Sequence, residues 1–451
     1  MVTLTTTRDA GSSPSFDIVK DGKAVLDLVD FDIHPLTGFL PPKAPITRLP
    51  SAWESWESVL DAAMEAKLQL ATLRPGEEEV RKSESWRNRV RKLPVLPITE
   101  LQQSEIALRR AHHILTYLLH IYVHTLPPDG EVSIPASISL PLLQVSAELD
   151  LPPVMSYSDD ILYNWTLKSP SVDGIPTLTN LRTQTSFTGS IDEEAFYLAP
   201  ARVELRGAEA LRIMQDILRD SQSGDTECVA QSLQALTTVI KEMRQQLLDV
   251  REACNPDFFY RNIRPWLVGV DSGPTPRTWV FEGIEQDPSL KVPTELSGSS
   301  AAQSSLIQAL DAFLGIDKLS GSHASSNASS ASSLSSPFAT RMRLYMPRRH
   351  RAFIHHLSST SQPLRDLVTG TTDPALSEAY NATVQALKEF RDGHMIIVTL
   401  YIIGPSKKVA REEAEAQGKE VSVGELKGSA GGDLARLLKD FRDRTTEALL
   451  P

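Results

Sequence analysis

The sequence predicts a mostly α protein in two structural units. Three observations carry this. Apolar residues recur at helical spacing through several long segments. Alternating strand patterns are few, there is no Asn-Gly, and Asp21-Gly22 could turn a small hairpin near the start with nothing comparable after it. A chain of 451 residues with 41% hydrophobic content can bury a large core and exceeds one typical domain. No internal repeat is visible.

The elements follow in order. The first 30 residues are a Ser/Thr-rich lead with a short strand-like segment. Residues 31–50 (FDIHPLTGFLPPKAPITRLP) are proline-rich and predict an ordered but irregular path. Residues 51–92 read as helical on either side of Pro75-Gly76, with Trp53, Trp56, Leu60 and Ala63 at helical spacing. The mixed charges of 77–92 read as a solvated face. Residues 99–126 predict a helix bearing His112, His113, His120 and His124. His120 and His124 stand at i, i+4, a metal-ligand spacing, but no acid lies between them as a zinc-protease helix requires, so structural roles are expected. Two strong helical patterns fill 201–254, and another helix runs from about Pro374 to Ile403. The serine-rich run 318–337 cannot bury enough apolar area to offset its ordering entropy and predicts a flexible loop. The charged run 405–427 predicts a second one.

Charge and cysteine content exclude several classes. With 46 basic against 57 acidic residues the net charge is −11, which opposes a phosphate-rich partner. Cys228 and Cys254 cannot build a thiolate zinc site and are read as free, buried thiols rather than a disulfide. The start lacks the apolar stretch of a signal peptide, and Asp9 and Asp17 disfavour a mitochondrial presequence. The longest apolar stretch, Met395 to Ile403, is too short to span a bilayer. The expectation is a monomeric cytoplasmic protein with neither nucleic-acid nor membrane partners.

Three stretches could carry chemistry. In FRDGHMIIVT (390–399), His394 stands against hydrocarbon, with Arg391 one turn earlier on the same helix face. Two readings remain open. One is a core histidine satisfied by a carbonyl or a water. The other is a flat apolar ligand with acidic arms, such as haem, whose iron takes the imidazole and whose propionate takes the guanidinium. In NPDFFYRNIRPWLVG (255–269), helical geometry would put Tyr260, Arg264 and Leu267 on one face, with Pro265 marking a kink. An arginine among aromatics suits a carboxylate ligand, or simply stacks at the surface. LSGSSAAQSS (296–305) and KGSAGGDL (427–434) are small-residue loops that let backbone approach a ligand closely, and neither is a P-loop.

Together with LDLPPVMSYSD (149–159), GSSAAQSSLIQALDAFLGI (298–316), MRLYMPRRHRAF (342–353) and KGSAGGDLARLLKDFRDRTTEALL (427–450), these stretches resemble the indoleamine 2,3-dioxygenase family in its fungal style, from about residue 110 to the C-terminus. The resemblance implies a small N-terminal α domain (1–186) and a large helical domain (187–451) holding haem b. It implies oxidation of L-tryptophan, or a related indole, by O2 to N-formyl-L-kynurenine, for NAD supply or a secondary-metabolite route. Carried over, His394 resembles the proximal iron ligand and Arg391 the partner of a haem propionate. Ala301 lies in the loop over the distal haem face. Arg264 resembles the residue that binds the substrate carboxylate, with Phe259 and Tyr260 its aromatic pair. Phe196 matches the aromatic against the indole, Tyr157 another pocket aromatic, and Ser429 a threonine at the amino-acid end of the substrate. No protein acid or base is implied. Five positions depart from the family: Pro200 stands where many members have serine, Asp160 at a small or weakly polar position, and Ser299, Ala302 and Ala430 in place of glycines. These departures leave room for a modified indole substrate, or for a haem-binding relative without catalysis.

Overall fold

A computed structural model describes residues 19–20, 23–24, 27–128, 130–171, 173–270, 277–319, 335–359, 363–418, 428 and 434–451. Over these residues the protein is mostly helical, as expected, with three two-stranded ladders. The short strands β1 (Val19–Lys20) and β2 (Lys23–Ala24) pair antiparallel on either side of Asp21-Gly22. Residues 31–50 are irregular, yet they bury Phe31, Ile33, Phe39 and Leu40.

Helices α1 (Glu54–Ala66) and α2 (Glu77–Arg91) flank the Pro75-Gly76 break. Glu77, Glu78 and Glu79 open α2 while Arg89 and Arg91 close it, so both ends complement the helix dipole. Helix α3 (Glu105–His124) starts at Ser104, whose hydroxyl accepts from the Ala107 amide (3.3 Å), and is buried continuously from Leu108 to Val123. Helix α4 (Ala136–Leu149) packs on it. Strand β3 (Val132–Ile134) pairs in parallel with β6 (Trp279–Phe281), and β4 (Trp165–Leu167) pairs antiparallel with β5 (Leu181–Thr183).

The larger helical body is organised by α5 (Ile191–Ser223), α6 (Thr226–Leu248) and α13 (Pro374–Val398). Gly224, at φ +74°, ends α5 in the left-handed region that glycine adopts without strain, and Asp225 caps α6 by accepting from the Cys228 amide (3.0 Å). Between α6 and α13 lie α7 (Val250–Ala253), α8 (Pro256–Phe258), α9 (Ser305–Phe313), α10 (Ser335–Arg343), α11 (Arg348–Ser359) and α12 (Pro363–Gly370). Helix α13 crosses α6 through a buried contact between Thr237 and Thr383 hydroxyls (3.0 Å). Helices α14 (Gly404–Gln417) and α15 (Leu434–Glu447) complete the chain, and α15 packs against α13.

Four expectations need correction. Residues 405–417 of the expected second loop belong to helix α14 (Gly404–Gln417): Ala, Glu and Lys are good helix formers, Pro405 sits in the first turn, and Gly418 closes the helix at φ +60°. The rest of that run, apart from Gly418, falls outside the described residues, as do 320–334 of the serine-rich run, including the Asn327-Ala328-Ser329 sequon. Ser335 to Pro337, expected in the first loop, begin α10. Helix α5 starts at Ile191 rather than near 201. Its signal is the capping-box sequence pattern Ser190-x-x-Glu193: Ser190 accepts from the Glu193 amide (3.1 Å), while the Glu193 carboxylate reaches further back and accepts from the Phe187 and Thr188 amides (2.7 and 2.6 Å). Both cysteines are free thiols, but Cys228 is exposed and only Cys254 is buried. Among the described residues no helix is long and apolar enough to cross a membrane.

Candidate active site

Three helical segments widen into a single π turn: Ser158–Leu162, Phe259–Ile263 and Thr399–Ile403. All three border one cavity of about 200 Å³, to which they contribute Asp160 and Ile161, Phe259, and Tyr401 and Ile402. A π turn inserts a residue into the helix and re-aims the side chains around it, which is why such turns gather at functional sites. A second cavity of about 140 Å³ adjoins the first and shares Tyr157, Pro200, Ala301, Ala302, His394 and Phe441 with it.

His394 comes from α13 and lines both cavities. Among the described residues neither of its ring nitrogens has a hydrogen-bond partner. It lies deep in the protein, so the surface it keeps is cavity wall. Burial, and then the nearby Arg391 charge, push its pKa down to about 4, so the imidazole is neutral with its lone pair available. The α3 histidines are the contrast. His120 donates to the Trp266 carbonyl (2.6 Å) and accepts from the Met155 amide (3.3 Å), and His124 donates to the Val268 carbonyl (3.0 Å). His113 bonds the Asp159 carbonyl (2.9 Å) and the Thr185 hydroxyl (2.9 Å), and His112 the Asp159 carboxylate (2.6 Å). Their expected structural role is visible: they fasten α3 to its surroundings. No metal-binding group of three or more His, Cys, Asp or Glu occurs among the described residues.

His120 and His124 also secure the segment that carries Arg264. That segment runs from α8 through the π turn into a 3₁₀ turn (Arg264–Leu267), so Pro265 enters at the start of a turn, where its missing N–H costs nothing. Arg264 lines the first cavity, its guanidinium carbon 5.5 Å from the Tyr260 ring centroid. Tyr260 backs this arginine and is not part of the cavity wall, whereas Phe259 is, packed on Phe196 (centroids 4.4 Å apart). Desolvation lowers the Arg264 pKa from its usual value.

Phe196 and Pro200 both face the cavity from α5, one turn apart. Tyr157 lines it too, its hydroxyl donating to Glu204 (3.0 Å), which also accepts from Ser304 (2.7 Å). Burial raises the Glu204 pKa to about 7 against those two bonds. Ala301 lies in a 3₁₀ turn (Ala301–Gln303) on the wall of both cavities, with Ala302 beside it. Asp160 and Ser299 line the first cavity. Arg391 lines the second cavity and is engaged within the protein: it pairs with Asp311, donates to the Thr445 hydroxyl and donates to the Phe441 carbonyl (3.3 Å). Asp311 is so deeply buried that desolvation outweighs this arginine and raises its pKa. Ser429 and Ala430 fall outside the described residues, while the adjacent Gly428 reaches the first cavity.

Sequence reasoning missed the groups that hold the pocket residues: Glu204 and Ser304 behind Tyr157, Gln303 accepting from the Tyr157 amide (2.9 Å), and Asp311 beside Arg391. It also missed the apolar wall from α15, namely Leu434, Leu437, Leu438 and Phe441. The available signal was the strongly one-sided apolar pattern of α15 and of α9, the helix bearing Asp311.

The arrangement is a mostly apolar cavity in a helical protein, with the His394 imidazole and the Arg264 guanidinium on its wall. The family model described as Indoleamine 2,3-dioxygenase matches residues 27–448. Indoleamine 2,3-dioxygenase of Saccharomyces cerevisiae is 31% identical over 440 residues, covering 93% of this chain and 92% of its own. Human indoleamine 2,3-dioxygenase 2 is 33% identical over 347 residues (76% and 79%). The 6-hydroxytryptophan 2,3-dioxygenase of Fusarium equiseti is 29% identical over 423 residues (92% and 95%). The chain belongs to the indoleamine 2,3-dioxygenase family and is an oxidoreductase of the dioxygenase class.

Proposed function

We propose that this protein holds haem b against His394 and oxidises a tryptophan-type indole with O2, converting L-tryptophan to N-formyl-L-kynurenine. The observation that carries this reading is His394: a neutral imidazole with no partner among the described residues, on the wall of a mostly apolar cavity. The residues present fit a haem. The imidazole would bind the iron, the small side chains of Ala301 and Ala302 would border the ring, and Arg391 would hold an acidic arm from the adjoining cavity, in competition with Asp311. The bound haem would supply the redox chemistry that activates dioxygen.

The chain's own residues bind and orient. Arg264 offers the substrate carboxylate a charge-assisted pair, worth about 1.5–3 kcal/mol, in a setting with little competing water. Phe196 and Phe259 form an aromatic wall for the indole. Glu204 fixes the Tyr157 ring by its hydroxyl. Ser429 is proposed to meet the amino-acid end of the substrate. Pro200 has neither hydroxyl nor N–H, so no proton passes through that position, and the reaction proceeds on positioning and exclusion of water. A ring-substituted tryptophan is the second reading, favoured by the carboxyl of Asp160 in the pocket wall and in line with the name of the Fusarium equiseti relative.

The test is incubation of the reduced, haem-loaded protein with L-tryptophan and oxygen, following N-formylkynurenine. Product formation that requires haem is expected. A purified protein that takes up no haem would overturn the reading.

A further inference from the structure

Asp159 and Asp160 are adjacent buried carboxyls with different fates. The Asp159 side chain is fully used: one oxygen faces His112 (2.6 Å) and the other accepts from the Ser156 amide and hydroxyl (2.9 and 2.8 Å). Asp160 points to the cavity wall and is 2% exposed. Its backbone is accounted for, since its amide donates to the Ser156 carbonyl (3.2 Å) and its carbonyl accepts from Asn164 (3.2 Å). Its side chain bonds Ser299, yet Oδ1 has no hydrogen-bond partner among the described residues. A buried acceptor left open this way is costly unless something brings a donor to it. Around it the cavity is apolar, with Ile161, Phe196, Pro200 and Phe259.

We propose that Asp160 determines the specificity of this pocket by accepting, at Oδ1, a hydrogen bond from a donor carried on the indole ring of the substrate. The inference rests on the proposed indole-oxidising function. The donor is either the indole N–H or a hydroxyl on the benzo ring. Both place a donor on the flat part of the ligand, the part the apolar walls enclose. Pro200, which can supply no hydroxyl, leaves Asp160 and its partner Ser299 to select among ring patterns. A site holding a buried acceptor discriminates strongly between ligands that satisfy it and those that do not. Burial, as the dominant cause, raises the Asp160 pKa to about 8, so near neutral pH the carboxyl is largely uncharged and the cavity carries no fixed anion to repel the substrate carboxylate.

The experiment measures binding to the haem-loaded protein by calorimetry, and turnover alongside. The ligands are L-tryptophan, 1-methyl-L-tryptophan, 5- and 6-hydroxy-L-tryptophan, and indole-3-propionate. The variants are Asp160→Ala and the volume-keeping Asp160→Leu, so that either one that folds decides, with Asp160→Asn as the form that keeps an acceptor oxygen. If the ring N–H is the donor, wild type prefers tryptophan over its 1-methyl form at least tenfold, and Ala or Leu removes that preference. If a hydroxyl is the donor, the lost preference is for one hydroxytryptophan over tryptophan. In both cases Asn retains most of it. Equal losses for all ligands, or no change, would overturn the proposal, as would a loss that disappears for indole-3-propionate, which points to the substrate ammonium. Wild type that binds these indoles but oxidises none sinks the dioxygenase reading alone, and the binding ratios still decide Asp160.

Discussion

At the residue scale, His394 differs from the histidines of α3 by what surrounds it. The α3 histidines meet carbonyls, a carboxylate or a hydroxyl, whereas His394 meets a cavity. His394→Ala is therefore expected to lose the haem absorption band and dioxygenase activity together, while thermal unfolding stays cooperative. Undiminished haem content after purification would remove His394 as the ligand. Arg264→Ala is expected to keep haem but raise KM for L-tryptophan by about 2–5 kcal/mol, roughly thirtyfold or more, the cost of truncating one partner of a buried charge pair. Unchanged steady-state kinetics would place Arg264 outside the substrate site. Because Arg264 is held by Trp266 and Val268 contacts to α3, part of that loss could be positional; Arg264→Lys separates the two, since it keeps charge but not the fork.

At the scale of elements, the site depends on two loops passing closer than side chains allow. The segment after Arg264 runs against the 296–300 loop, and the Val270 amide donates to the Leu296 carbonyl (2.9 Å). A Cβ on Gly298 would lie 1.9 Å from the Leu267 carbonyl oxygen, and one on Gly269 would lie 2.1 Å from that of Leu296. The obstacle is backbone on both sides, so it cannot swing away. Gly298→Ala is expected to destabilise by about 1–3 kcal/mol and to raise KM, because relief requires the Arg264 turn and the Ala301 turn to separate. Gly370→Ala, with nothing within 4 Å of its Cβ, serves as the control and should leave both melting temperature and KM unchanged. A Gly298→Ala protein that behaves like that control would mean the two loops are not pressed together.

At the scale of the molecule, buried titratable groups set the dependence of stability on pH. Burial lowers His113 and His124 to about 3 and His120 to about 4, and His350, also near Arg109, to about 3. Below pH 6.5 the unfolded chain takes up protons that the folded chain refuses, so each histidine removes stability as pH falls, by at most about 1.4 kcal/mol per unit. Asp160 and Glu204 act in the opposite sense. Their folded pKa values are raised to about 8 and about 7, so they remove stability as pH rises above their unfolded values. His394 joins the histidines, and burial also raises Asp32, Glu193 and Asp311, so the two sets oppose each other between pH 6.5 and 5 and only the carboxyls act above 6.5. The melting temperature is expected to fall as pH rises from 6.5 to 8. Scanning calorimetry across that range checks this, and a melting temperature rising steadily to pH 8 would contradict the protonated state of the buried carboxyls.

The sequence by itself determined the helical class, the Pro75-Gly76 break, the small hairpin around Asp21-Gly22 and the candidacy of His394, because spacing, turn chemistry and a polar group in an apolar run are local properties. It also carried enough ordered motifs to reveal the family. It misread residues 405–417, where charge suggested a loop but helix propensity prevailed, and it placed the start of α5 ten residues late by overlooking the Ser190–Glu193 capping-box pattern. Only the tertiary structure decided which polar groups are already satisfied. His112 and His124 look as available as His394 in sequence; carbonyls, an amide and a carboxylate brought from 35 to 146 residues away engage the α3 imidazoles. Arg391 resembles a free cation until Asp311, 80 residues away, is folded against it. Asp159 and Asp160 are neighbours of one chemistry, and nothing in their order shows that one is saturated while the other faces the cavity. A hydrogen bond is spent by whichever group the fold brings within about 3 Å, and that proximity is not written in the neighbours along the chain.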